Sequence, residues 1–125
     1  MSLETLARAL EVIVGLGLLN VWLVRARSST GYRGGSAKTL REEFAAYGLS
    51  STMFYVVGTL KVSAGLILLA ALFLPLPLPA RIAASVVAGL MVGALMMHIK
   101  VKDPVVKSVP AALMLAMCVV LVVLL

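Results

Sequence analysis

Lys61 is the residue whose type and position point most directly to chemistry, because it lies inside a long apolar segment. A lysine at the centre of a membrane span costs about 2.5–3.5 kcal/mol on insertion, so it needs a partner or a route to the surface. Glu11 reaches a similar depth if the first two apolar segments pack antiparallel. We therefore expect an ion pair between Glu11 and Lys61, which either fixes the helix register or serves as a site for an anion or a proton.

His98 is the only histidine and lies beside Lys100 and Lys102 at the end of another apolar segment. A lone histidine without a neighbouring cysteine or carboxylate cluster does not predict a zinc site. It suits interfacial capping or headgroup contact, and the alternative is a contact to a quinone or another polar small molecule. With Arg33 and Arg41, these residues are the candidates for binding a headgroup or a small molecule.

No arrangement typical of an enzyme is visible. Cys118 is the only cysteine, which excludes internal disulfides and paired-cysteine redox chemistry. The glycine-rich stretch between Gly31 and Gly35 lacks the pattern of a nucleotide-binding loop, and the neighbouring Glu42 and Glu43 suit solvated helix charges. We therefore expect no stand-alone catalytic activity, no catalytic residues, no metal and no cofactor.

The composition indicates that lipid surrounds most of the chain. Hydrophobic residues make up 62% of the sequence and charged residues 13%, whereas soluble domains are roughly one-quarter charged. The net charge of +6 would suit nucleic acid in a soluble protein, but here the basic residues stand beside the apolar segments. Membrane lipids with anionic headgroups are the expected partners, and nucleic acid is not.

Four apolar segments are long enough to cross a bilayer, and together they predict one transmembrane domain over residues 1–125. The expected spans are residues 3–24, 52–74, 80–98 and 104–125, with a basic cytoplasmic loop over 25–51. In this loop Thr39 and Glu42 form a capping-box pattern, which predicts a short interfacial helix. The predicted fold class is all-α, a transmembrane four-helix bundle.

Gly89 and Gly93 have the spacing that lets two membrane helices approach closely, so we expect them at a helix-packing contact, more often inside the bundle than between subunits. The orientation follows from the charges, since eight of the eleven Lys and Arg residues fall in the loops after the first and third spans. These loops are expected to be cytoplasmic, which leaves both termini on the other side. The host membrane is an inner, plasma or organellar membrane.

The chain from residue 20 onward resembles the DoxX-like family of small four-helix membrane proteins. The resemblance rests on YRGG at residues 32–35, EEFAAYGL at 42–49, VGTLK at 57–61 and MHIKVKDP at 97–104. The family is named after a subunit linked to thiosulfate:quinone oxidoreductase, so the resemblance implies a fold more than an activity. Many members have Glu where this chain has Lys61, and a proton or cation role for that carboxylate is therefore not carried over. Relatives with paired cysteines, such as vitamin K epoxide reductase-like proteins, give no guidance for Cys118 alone.

Two functions are compatible with these features. The first is a non-catalytic accessory or assembly subunit of a membrane complex, with partner subunits or further copies of the chain, and the resemblance implies a redox complex. The alternative is a binder or carrier of a small anionic or quinone-like molecule at a polar site around Lys61. A cavity at Lys61 would favour the alternative, and a closed apolar interior would exclude it.

Overall fold

The computed structural model describes residues 2–125, which form five α-helices. Four apolar stretches are long enough to span a membrane, in agreement with the predicted four-helix bundle: Leu3–Val24, Ser51–Ala70, Pro77–Lys100 and Val105–Leu124. The helices are α1 (Leu3–Leu19), α2 (Leu40–Ala46), α3 (Ser51–Ala70), α4 (Pro77–Lys100) and α5 (Val109–Leu124). A π-helical turn, Asn20–Val24, extends α1, and a 3₁₀ turn, Val105–Ser108, precedes α5.

Glycines set the register between α1 and α3. A Cβ atom on Gly15 would lie 3.1 Å from the carbonyl oxygen of Gly65, so the two backbones are in close contact there. One end of the same interface has Trp22 packed on Gly58, where an added Cβ would lie 2.6 Å from the indole ring. These approaches fix α1 antiparallel to α3, because neither Gly15 nor Gly58 can take a side chain without movement of the residue packed on it.

The core where α4 meets the other helices is made of small side chains with a few larger ones between them. Ala80, Ala84 and Val87 on α4 are fully buried, as are Cys118 and Leu121 on α5. Because α4 presents alanines to its neighbours, the helix backbones can approach one another closely there.

Gly89 and Gly93 do not belong to this core. A Cβ atom added to either glycine would meet nothing within 4 Å, so both lie on an open face of α4. The expected internal helix contact at these glycines was wrong, because the buried face of α4 runs through Ala84, Val87 and Met91 instead.

The helix ends near the prolines differ by a few residues from the predicted spans. α3 ends at Ala70, before the predicted Leu74, and the chain turns before α4 begins at Pro77. Proline is compatible with the first helical turn because its missing N–H would lack a partner there in any case. Pro110 likewise lies in the first turn of α5, where a proline does not kink the helix.

The short helix α2 forms as the sequence predicts. Thr39 accepts a hydrogen bond from the Glu42 backbone N–H, and the Glu42 side chain accepts one from the Thr39 N–H, which is a complete capping box. The chain leaves the helix at Gly48, whose φ of +78° favours glycine. Leu40 and Phe44 face inward and are buried, so α2 packs against the bundle as well as lying at its end.

Candidate functional site

The predicted ion pair between Glu11 and Lys61 is not formed. Glu11 is fully buried and faces Arg8 at 3.4 Å, while Arg8 also donates to the carbonyl oxygen of Ala71 at 2.6 Å. In the register of α1 and α3, Lys61 is level with Leu19, which is about eight residues or 12 Å along the helix from Glu11. Residue counting predicts similar depths for Glu11 and Lys61, but the glycine contacts shift α1 relative to α3.

Lys61 has a different environment from the one predicted. Its ammonium nitrogen lies 5.7 Å from the centre of the Trp22 ring, a cation–π distance. Within residues 2–125, no carboxylate lies within 4.0 Å of the Lys61 ammonium. The lysine is therefore a cation inside a membrane-spanning segment without an anionic partner.

Lys61 lines a cavity of about 490 Å³ between α1, α4, α5 and the loop before α2. This volume is within the roughly 300–1,000 Å³ that is usual for small-molecule sites. Its polar and charged lining residues are Arg25, Thr30, Tyr32, Arg33, Glu43, Lys61, His98 and Lys107. Its apolar wall includes Gly17, Leu18, Met91, Ala94, Ala111 and Met114. The interior is thus not closed, and its charged lining is predominantly cationic.

Arg33 lies beneath the loop and not at the lipid surface. It is only 7% exposed, and its guanidinium donates to the carbonyl oxygens of Arg25 at 2.7 Å and Ser28 at 3.3 Å. It also pairs with Glu43 at 3.4 Å. Its buried Nε has no hydrogen-bond partner among the described residues. The expected headgroup contact of Arg33 was wrong. Arg33 instead lines the cavity, and its Nε is a free donor.

His98 is buried, although the sequence placed it at the interface. Its Nδ1 lies 2.7 Å from an Asp103 carboxylate oxygen, and its Nε2 lies 3.4 Å from the Tyr47 hydroxyl. The pairing with Asp103 follows from the way α4 ends: the N–H of Asp103 donates to the His98 carbonyl and that of Lys102 to Ile99. This is a Schellman ending, with Lys102 in the left-handed region at φ +58°. It turns the Asp103 side chain back onto the imidazole.

The groups around His98 have defined protonation preferences. Burial would raise the pKa of Asp103, but hydrogen bonds from His98 and from the Gly35 N–H, with the nearby Lys107 charge, hold that pKa below its ordinary value. An ionised Asp103 can only accept a hydrogen bond from His98, which assigns a hydrogen to Nδ1 of the imidazole. Burial, and then the hydrogen bond to Glu43, raise the pKa of Tyr47 well above its usual range, so this phenol stays protonated.

The loop before α2 is fastened to the turn between α4 and α5 by polar contacts. Asp103 accepts a hydrogen bond from the Gly35 N–H at 2.9 Å, and Lys107 donates to the Gly35 carbonyl at 2.7 Å. Lys100 donates to the carbonyl of Tyr47 at 2.8 Å. These contacts hold the loop before α2 and the end of α2 over the cavity, and we call this segment, residues 25–47, the roof.

The remaining predicted site residues lie outside the cavity lining. Arg41 is exposed and contacts Tyr55 and Ser51 on α3, with its guanidinium carbon 5.7 Å from the Tyr55 ring centre. Lys102 is exposed, and Lys100 is used in the roof contact. The cavity therefore brings together Lys61, His98 and Arg33 but not Glu11, Arg41, Lys100, Lys102, Gly89 or Gly93.

Sequence reasoning did not find Glu43, Tyr47 and Asp103 as partners of His98, or Lys107 as a partner of Asp103. Glu43 had been interpreted as a solvated charge and Asp103 as a helix cap, and both are nearly buried, with side-chain exposures of 12% and 4%. One signal was available, because three of these four residues, Glu43, Tyr47 and Asp103, fall in the family-like segments at residues 42–49 and 97–104. Over residues 2–125 no group of three or more His, Cys, Asp or Glu side chains has an arrangement that could hold a metal ion.

Comparison with known protein families agrees with this architecture. No curated protein and no solved structure matches the chain. A family model described as the DoxX-like family matches residues 18–122 of the 125 residues. With four apolar helices long enough to cross a membrane, the chain is an integral membrane protein and belongs to the DoxX-like family.

Proposed function

We propose that this protein binds a small molecule with an anionic or hydrogen-bond-accepting group in the cavity around Lys61. The observation that carries the proposal is the Lys61 ammonium, which lines the cavity without a carboxylate in ion-pairing range. A cation in a span is costly unless an anion or dipole compensates it, and the aromatic ring of Trp22 supplies only part of that compensation. A bound acceptor would supply the rest.

The other charges around the cavity support the same polarity. Glu43 is the acidic residue in the lining, and it is engaged by Arg33 and by the Tyr47 hydroxyl. Lys107 is engaged by the Gly35 carbonyl. The lining thus includes donors without hydrogen-bond partners in the described chain, among them Lys61 Nζ and the buried Arg33 Nε, whereas its one carboxylate is already paired. We extend this proposal from binding of the molecule to its transport across the membrane.

Native mass spectrometry of the protein released from detergent tests the proposal. We expect a small molecule to be retained by the wild-type chain and by a Lys38→Met control, because Lys38 is exposed and outside the cavity. Lys61→Met should lose it, and Lys61→Arg should keep part of it. Equal retention by the Lys61→Met variant and the wild type would rule out the proposed role of this lysine.

A second candidate function, that of an accessory or assembly subunit, is favoured by the open face of α4. Ser85, Gly89 and Gly93 follow one another at intervals of four residues, and no side chain among residues 2–125 covers the two glycines. Such a stripe allows close approach of another membrane helix, from a partner subunit or a second copy. Gly89→Leu should then reduce co-purification of the partner helix, whereas Val119→Leu on exposed α5 should not. A chain that always purifies alone would exclude this function.

A further inference from the structure

The cavity around Lys61 has a polar end and an apolar end. Arg33, Glu43 and Lys107 line it at the roof, where the loop and the α4–α5 turn meet. Leu18 and Met114 line it deeper in α1 and α5, where no charged side chain is present in the lining. A ligand that satisfies both ends has a polar head towards the roof and an apolar body towards the bilayer centre.

Lys61 belongs to the polar end, although its backbone is about 15 Å into α3. Side chains on a helix point towards its N-terminus, and the N-terminus of α3 is at the roof end. The Lys61 ammonium accordingly lies near Trp22, whose ring packs on Gly58, almost one helical turn closer to the roof. The free ammonium and the free Nε of Arg33 are therefore on the same side of the cavity.

The opening of the cavity lies along the seam between α1 and α5. The lining residues with exposed side chains are Val21 and Arg25 at the end of α1, Tyr32 in the loop, and Pro110 at the beginning of α5. By contrast, none of the lining residues of α4 is exposed: Met91 and His98 are buried and Ala94 is half-buried. This seam is at the level where apolar helix surface gives way to the basic loop, which is the headgroup boundary of a bilayer. A molecule that enters there comes from the membrane.

We propose, on the basis of the small-molecule site suggested above, that the ligand is an anionic single-chain amphiphile drawn from the bilayer. Its head lies between Lys61 and Arg33, and its apolar chain lies against Leu18 and Met114. It enters sideways between α1 and α5 without passing through the roof. A carboxylate and a phosphate monoester present the same chemistry to these donors.

Photolabelling of the full chain in lipid nanodiscs tests the ligand class. The probes are palmitate with a diazirine in its acyl chain, the corresponding lysophosphatidate, and uncharged hexadecanol with the same diazirine. We expect one or both anionic probes to label residues in the apolar wall, such as Leu18, Met91 or Met114. Labelling should fall by about tenfold in Lys61→Met, as for loss of a charged hydrogen bond, and remain unchanged in Lys38→Met.

The outcomes separate this inference from the proposal on which it rests. Titration with benzoate, a water-soluble anion, is the parallel measurement. Benzoate binding that depends on Lys61, without palmitate or lysophosphatidate labelling, would overturn the amphiphile and leave the small-molecule site intact. Equal labelling by hexadecanol would overturn the anionic head, and no binding of any probe would remove both. The position of the label in the wild-type chain is informative even if Lys61→Met fails to fold.

Entry through the seam has its own variant. Val21→Trp places a large side chain at the opening, and Val24→Trp adds the same ring at a position that is 74% exposed and outside the lining. We expect the labelling rate to fall in the first variant only. Equal rates in both variants would exclude the lateral route.

Discussion

Individual polar residues in this protein are stabilised by neighbours that are close in space but hard to see in the sequence. The predicted and observed partners of Lys61 illustrate the difficulty. Depth along a helix follows from residue counting, which gave Glu11 as a partner, but side-chain direction and helix register depend on the glycine contacts between α1 and α3. Burial of Lys61 in a span was therefore predictable, while its neighbour Trp22 was not.

Asp103 gives a prediction with a definite dependence on pH. Its pKa is lower in the folded protein than the ordinary value of 3.8, so its ionised form stabilises the fold above that pH. This contribution is lost as the pH falls through the lowered pKa. Asp103→Asn should therefore reduce the melting temperature at neutral pH, and the difference from wild type should shrink below about pH 4. Thermal unfolding in detergent at several pH values measures it, and a difference independent of pH would contradict the assignment.

Arg8 and Glu11 give a prediction about buried charge. Arg8→Met leaves the fully buried Glu11 carboxylate without its cation, and we expect a loss of roughly 1–3 kcal/mol in unfolding free energy. The double variant Arg8→Met with Glu11→Leu should recover much of that loss, since neither charge remains. Unfolding in mixed detergent measures the unfolding free energies of the two single variants and of the double variant. A double variant less stable than both single variants would show that the pair itself is favourable.

The elements of the fold followed well from the sequence, and their contacts less well. Four apolar segments and a capping box were sufficient to place α1 to α5, because length and local hydrogen bonding decide these features. Which face of α4 is buried could not be predicted, since Gly89 and Gly93 and the alanines at Ala80 and Ala84 are all small. Small residues indicate close packing without saying which face packs.

Two glycines on different helices make a matched pair for testing this packing. Gly58→Ala should destabilise the protein, because the new Cβ would lie 2.6 Å from the Trp22 ring. Gly89→Ala should be neutral or stabilising by up to about 1 kcal/mol, because the Cβ meets open space and alanine favours a helix. Melting temperatures of the two variants compare them directly. If Gly58→Ala is tolerated equally well, the Trp22 contact does not fix the register.

The whole molecule has a charge asymmetry that predicts its orientation. The 25–50 loop and the α4–α5 turn are at the same end of the bundle, since Gly35 contacts both Asp103 and Lys107. Under the positive-inside rule we expect this end to be cytoplasmic and both termini to lie on the other side. The fold thus places the basic loops together, and the rule supplies the direction.

Cysteine labelling in intact cells measures that orientation. Gly31→Cys and Lys102→Cys should react only after permeabilisation, and Leu78→Cys in the exposed first turn of α4 should react from outside. The native Cys118 is buried and so contributes little background. Labelling of Gly31→Cys and Lys102→Cys from different sides would contradict the four-span topology itself.

The roof of the cavity has a consequence for how the protein tolerates change. Several of its fastenings use main-chain atoms, namely Arg25 O, Ser28 O, Gly35 N and Gly35 O in the loop and Tyr47 O at the end of α2. Their side-chain partners are Arg33, Lys100, Asp103 and Lys107. Every amino acid carries a carbonyl oxygen, so Arg25 and Ser28 can be exchanged without losing the acceptor. A saturation mutagenesis map should consequently be permissive at these two loop positions and restrictive at Asp103 and Lys107, although the loop is the part that covers the site.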